Sequence, residues 1–264
     1  MKSKSEPKVD NRIYDNLAQS WWAGNGVLSL LRASVNPWRV PYFSQVIAAH
    51  SIKQLPGISL LDIGCGGGVL AEELSQIGCR VTGIDLSEKS LQIASQHTAE
   101  TKTAIRYLAG SAFHLPFPDK SFEIAVCGDV LEHLPDWPVA LGEVSRILKP
   151  GGIFLFDTIN RTLASYLTLI LGAQLIPFTR IFPPRTHNWR MFITPEEIKF
   201  ELTANGLQPG GLAGSQQEGN LLMLLASIFL LKTGQISYQA FGERTRLQPG
   251  NDLRTNYLGF AIKE

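Results

Sequence analysis

The stretch 58–63 is apolar except for Ser59 and Asp62, and it runs into Gly64-Cys65-Gly66-Gly67-Gly68 and then a helix-compatible segment, 69–77. Glycines packed this densely between a strand and a helix let the backbone turn sharply. They also let a ligand come close to the backbone, where a Cβ would collide. A second apolar run, 81–84, ends in Asp85, 21 positions after Gly64. In an open α/β sheet that place belongs to an acid accepting hydrogen bonds from ribose hydroxyls. A dinucleotide fingerprint starting at Gly64 would need glycine at 69, where the chain has Val69, and a phosphate-cradling loop would need a lysine that does not follow.

A nucleoside without a pyrophosphate fits these residues, and S-adenosylmethionine is such a ligand: its ribose suits Asp85 and its amino-acid end the glycine loop. Further strands are expected at 105–108, 124–127 and 153–156, with helices at 87–96 and 139–148, the last stopped by Lys149-Pro150-Gly151-Gly152. Strands alternating with helices imply βαβ units. The fold class is therefore α/β and Rossmann-like, a mostly parallel sheet with helices on both faces. Gly110-Ser111-Ala112 after the third strand and Cys127-Gly128-Asp129 after the fourth fall at the carboxyl edge, where ligands bind. In front of this pattern, 14–31 has helical spacing, Pro37 is expected to break and restart it, and 257–262 reads as a final strand.

Composition narrows the function. Lys+Arg 24 against Asp+Glu 23 leaves a net charge of +1, which removes the electrostatic footprint of a nucleic-acid binder. The three cysteines are scattered without a CxxC pair, so neither a disulfide framework nor a zinc site is expected, and the compartment reads as reducing and cytoplasmic. Residues 1–12 are polar and read as a disordered tail. Only 18% of residues are charged, below the roughly 25% usual in soluble domains. The deficit lies in 162–179, which has no charge at all, and in 221–231. Neither segment suits a membrane span: the first is interrupted by Gly172, Gln174 and Pro177, and the second is too short. Apolar all round, they must be covered by protein, ligand or lipid.

The pieces LLDIGCGGGVL, VTGIDLS, GSAFHLPFPDKSFEIAVC and ILKPGGIFLF together resemble the class I S-adenosylmethionine-dependent methyltransferases. Trp21-Trp22, Asn36-Pro37-x-Arg39, DTINRT, Pro184-x-Thr186-His187-x-Trp189, FITPEEI and NYLGFAIKE resemble a narrower family, the ubiquinone-biosynthesis O-methyltransferases of UbiG type, which methylate polyprenylated hydroxyphenols. The resemblance implies one methyltransferase domain over 13–264, with a cofactor-binding core at about 40–160. Apolar lid segments are expected at about 161–192 and 215–248, the latter where that family has a short connection. It further implies that Arg39, Gly64, Asp85 and Gly128 bind the cofactor, to which the motif adds Asp62, Gly66, Gly68, Ser111 and Ala112.

On a helical turn Asp129, Glu132 and His133 would share one face. Two uses of them stay open. They could hold Mg2+ against a catechol-like acceptor, as the resembling family's Glu, Glu and His do, or His133 alone could take the phenol proton. His187 is a second polar candidate for the pocket. The expected function is methylation of a hydroxyl on a hydrophobic aromatic, a polyprenylated quinone precursor, reached by peripheral association with the inner face of a membrane. Methylation of another apolar acceptor, at oxygen or carbon, and a non-catalytic cofactor-binding regulator are the alternatives.

Overall fold

The computed structural model describes residues 12–50 and 55–264, so the tail expected at 1–12 lies, apart from its last residue, outside the described residues. One eight-stranded sheet organises the chain. Its strands are β1 (Ser59–Ile63), β2 (Arg80–Asp85), β3 (Arg106–Ala109), β4 (Phe122–Cys127), β5 (Leu148–Ile159), β6 (Leu207–Gln217), β7 (Leu247–Gly250) and β8 (Asn256–Lys263). They lie in the order β3-β2-β1-β4-β5-β8-β6-β7. The first five are parallel, while β8, β6 and β7 join antiparallel. Every residue of β1 is buried, as a central parallel strand covered on both faces requires.

Nine α-helices are described: α1 (Arg12–Leu17), α2 (Asn36–His50), α3 (Val69–Gln76), α4 (Glu88–Thr101), α5 (Trp137–Ile147), α6 (Leu163–Ser165), α7 (Pro195–Ala204), α8 (Leu221–Lys232) and α9 (Tyr238–Arg244). On one face of the sheet, Leu61 and Ile63 meet Leu141 and Val144 of α5 and Ile198 and Leu202 of α7. On the other, Ile58 and Leu60 meet Phe43 and Ile47 of α2 and Leu70 and Leu74 of α3. Two cores, one on each side, hold the carboxyl ends of the parallel strands in a fixed row.

Three expectations change. The segment 14–31 is not one helix: α1 passes into a 3-10 turn, Ala18–Ser20, and Gly24 (φ 73°) interrupts the helical path. Pro37 does not break the next one, because a π-helical turn, Leu31–Val35, feeds directly into α2. The wider turn relieves the clash between the proline ring and the carbonyl four residues back. The helix before Lys149–Gly152 does stop there, with α5 ending at Ile147, but the strand expected at 153–156 begins earlier: Lys149–Gly152 belongs to β5, and a shift of register between Phe122 and Ile124 of β4 absorbs the extra residues.

After β5 the chain leaves the sheet. Helix α6 continues as a π-helix, Tyr166–Leu175, whose charge-free sequence forms one wall of the site. The insertion between β6 and β8 supplies α8, α9 and the edge strand β7. Leu224 and Leu231 from the insertion share a cluster with Ile181 and Phe182 from the first apolar segment. Among the described residues, no helix is long and apolar enough to cross a membrane.

Candidate active site

A cavity of about 650 Å3 opens at the carboxyl ends of β1, β2 and β4. Asp62, Gly64, Gly66, Asp85, Ser111, Ala112 and Gly128 all line it, as does Arg39 from α2. Gly68 does not. It starts α3 in a left-handed conformation (φ 80°), and a Cβ there would lie 2.3 Å from the Tyr107 hydroxyl oxygen. Its glycine is required by packing of the loop on β3 rather than by the cavity. The Asp85 carboxylate already accepts the amides of Gly66 (2.8 Å) and Ser87 (2.7 Å), which fixes the acid against the glycine loop and leaves lone pairs for hydroxyls.

Arg39 is only 2% exposed, so a surface salt bridge is ruled out. Its Nη1 donates to Asp157 Oδ1 at 3.0 Å, and its Nη2 pairs with Asp129 Oδ2 at 2.9 Å. The carboxylate clamp expected of it therefore has both ends engaged by the protein, with only Nε lacking a partner. Burial works against the guanidinium charge, but Asp157, Asp129 and Asp62 more than offset it, so the cation is held firmly. Gly128 makes room for this side chain, since a Cβ there would stand 2.1 Å from Arg39 Nη1.

The acids outnumber the base. Burial pushes the Asp62 carboxyl up to about 7 despite Arg39. Burial and Asp129 push Glu132 up to about 8, and burial raises Asp157 as well. Asp62 Oδ2 and Arg39 Nε are buried without a partner among the described residues. A site with surplus acidic groups and an unpaired guanidinium Nε–H suits a ligand carrying a sulfonium, an ammonium and a carboxylate, so the residues fit S-adenosylmethionine.

Asp129, Glu132 and His133 do not converge as a metal site. Asp129 has a left-handed backbone (φ 53°), and only a three-residue 3-10 turn, Leu131–His133, follows. The continuous α-turn that would align the three is absent, and their side chains diverge. Asp129 goes to Arg39, Glu132 accepts Thr158 Oγ1 at 2.9 Å, and His133 Nε2 lies 3.3 Å from the Tyr14 hydroxyl. Among the described residues no three His, Cys, Asp or Glu side chains are grouped to hold a metal ion. The expected Mg2+ site does not fit this arrangement.

His133 and His187 both line the cavity, their ring centroids 5.4 Å apart. Burial lowers His133 to about 4 and His187 to about 3, so both are neutral imidazoles near pH 7. Around them the wall turns apolar, with Leu169, Ala173, Phe182, Leu224 and Phe241. The N-terminal segment closes the other side. Tyr14 stacks on Trp21, whose ring covers Gly66 and Gly67 and whose Nε1 donates to Ser90 Oγ at 3.1 Å. Tyr14 and Asp157 are the residues that sequence reasoning did not select. Asp157 opens the DTINRT stretch, but nothing local gives it a role and no motif marks Tyr14, because their partners lie 118 and 119 positions away.

The sheet order, the glycine loop facing Asp85 and the acid-rich cavity define a class: the chain is an S-adenosylmethionine-dependent methyltransferase. A family model described as a methyltransferase domain matches residues 61–156. The ubiquinone biosynthesis O-methyltransferase of Burkholderia thailandensis is 35% identical over 246 residues, covering 93% of this chain and 92% of that protein. The protein of the same name from Bordetella avium is 35% identical over 218 residues, covering 81% and 87%. Among solved structures, magnesium protoporphyrin IX methyltransferase from Synechocystis PCC 6803 with bound SAH gives a TM-score of 0.63 at 18% identity, over 96% of this chain and 95% of that one. A SAM-dependent methyltransferase from Aquifex aeolicus gives 0.54 at 14% identity, over 84% and 89%. At those identities the two structures speak for the fold. The chain belongs to the ubiquinone biosynthesis O-methyltransferase family.

Proposed function

We propose that this enzyme methylates a hydroxyl of a polyprenylated aromatic quinone precursor, taken up at the inner face of a membrane. The observation that carries the reading is the continuity of one cavity. Its polar half holds Asp62, Gly64, Gly66 and Asp85, and its other half holds two neutral histidines among apolar side chains. S-adenosylmethionine supplies an electrophilic methyl group when bound. Arg39, Asp62, Asp85 and the loop around Gly128 bind and orient it, with Ser111 and Ala112 flanking the adenine. His133 takes the acceptor's proton, as a neutral imidazole can, and His187 contacts the acceptor ring. The displacement needs alignment and exclusion of water rather than a covalent enzyme intermediate.

The lid segments support a greasy acceptor. Phe178 is 86% exposed and Leu222 77% exposed, with Leu163, Leu221, Met223 and Phe229 also exposed. These side chains flank the same walls that line the acceptor half of the cavity, an arrangement suited to resting on lipid while a prenyl tail enters. Incubating the protein with labelled S-adenosylmethionine and paired prenylated and short-chain catechols tests the proposal. Methyl ether formation strongly favouring the prenylated acceptor is expected, and equal use of both would sink the lipid-facing part of it.

A further inference from the structure

We infer that Tyr14 is a positioning residue for the methyl transfer, its hydroxyl holding the His133 imidazole in the tautomer that can accept the acceptor's proton. The inference rests on the reading of His133 as the base and deepens it. The Tyr14 hydroxyl lies 3.3 Å from His133 Nε2, and the Tyr14 ring meets the imidazole edge-on with centroids 5.8 Å apart. His133 Nδ1 has no partner among the described residues. A neutral imidazole carries one N–H, and the hydrogen bond at one nitrogen decides which nitrogen keeps a lone pair. With Nε2–H donating to the Tyr14 oxygen, the lone pair sits on Nδ1, a buried nitrogen to which no described residue donates and which an acceptor O–H would satisfy.

The step then balances. The acceptor O–H bond breaks with its proton passing to Nδ1, the oxygen forms its bond to the methyl carbon, and the S–CH3 electron pair stays on sulfur. Tyr14 takes the part of the third group that orients a base in other catalytic arrangements. Its own placement is well determined. Its ring stacks on Trp21, and the neighbouring Asp15 accepts Ser87 Oγ at 2.5 Å. Ser87 in turn donates its amide to Asp85. A single turn of α1 thus spans from the ribose-binding corner to the proposed base. The contact joins residues 119 positions apart, so it forms only when the N-terminal segment is seated over the cavity.

Tyr14→Phe removes the hydroxyl and keeps the ring. In 15N-histidine-labelled protein, the His133 signals, assigned by their loss in His133→Gln, should report the Nε2–H tautomer. In Tyr14→Phe they should move to a mixture of tautomers. In the same samples kcat should fall about ten-fold, the scale of one lost hydrogen bond, with cofactor Kd and acceptor KM changed less than about two-fold. Retained cofactor affinity shows that the variant is folded. An unchanged His133 tautomer in Tyr14→Phe overturns the assignment, and so does a lower acceptor KM at full kcat, which would mark Tyr14 as occupying the acceptor's place. Full turnover by His133→Gln instead overturns the base itself, whatever the Tyr14 spectra show.

Discussion

Arg39 sits where one cation answers several buried acids, and its removal should be costly. Arg39→Met leaves Asp157 and Asp62 buried without their counter-charge, so a loss of about 3–5 kcal/mol is expected in denaturant unfolding. Asp85→Asn keeps shape but loses the charge that strengthens hydrogen bonds to hydroxyls. Cofactor affinity by calorimetry should fall about ten- to a hundred-fold, with the fold intact. The titrating groups bend stability in opposite directions. Asp62 is raised in the folded state from 3.8 to about 7, so its contribution is complete at low pH and is lost as pH rises through 7. His187 is lowered from 6.5 to about 3, so its contribution is complete above 6.5 and is lost as pH falls toward 3. Both windows fall below neutrality, so melting temperatures of ligand-free protein between pH 4 and 7 should drop less with rising pH in Asp62→Asn, and drop less with falling pH in His187→Gln. Unchanged profiles in both would contradict these environments.

Helices and strands were legible wherever short-range pattern and burial agree. Strand β1, the glycine turn, α3 and β2 follow from an apolar run, a glycine cluster and a terminal acid, all within thirty residues. Where a distant partner decides, the pattern misleads. The run 221–231 forms α8, yet only Ser227 and Ile228 of that helix are buried. Its apolar sequence did not reveal that the fold leaves most of it uncovered. Asp129-x-x-Glu132-His133 has helical spacing but lies on a left-handed residue followed by a 3-10 turn, because the chain must swing from β4 toward α5. The layer beneath is more conventional. Leu141 of α5 is fully buried against the sheet, and Leu141→Ala should cost about 2–5 kcal/mol by denaturant unfolding, without altering the cavity wall.

At the scale of the molecule, the exposed apolar side chains gather on the two segments added outside the parallel half of the sheet. Phe178→Glu combined with Leu222→Glu places charges on two of the most exposed of them. Flotation with anionic liposomes should lose most of the bound protein, while cofactor affinity stays within about two-fold, because neither residue lines the cavity. Binding to liposomes that survives both changes would move the contact surface elsewhere. What the sequence by itself determined was the alternating α/β order, the glycine loop with its acid, and the family, since these rest on neighbours within a few turns of chain. Only the tertiary structure decided that Arg39 is shared between Asp129 and Asp157, that Tyr14 meets His133, and that Asp129, Glu132 and His133 turn to three different partners. Those outcomes depend on which side chains meet across more than a hundred residues, and on burial that forces each polar atom there to find a partner or await a ligand.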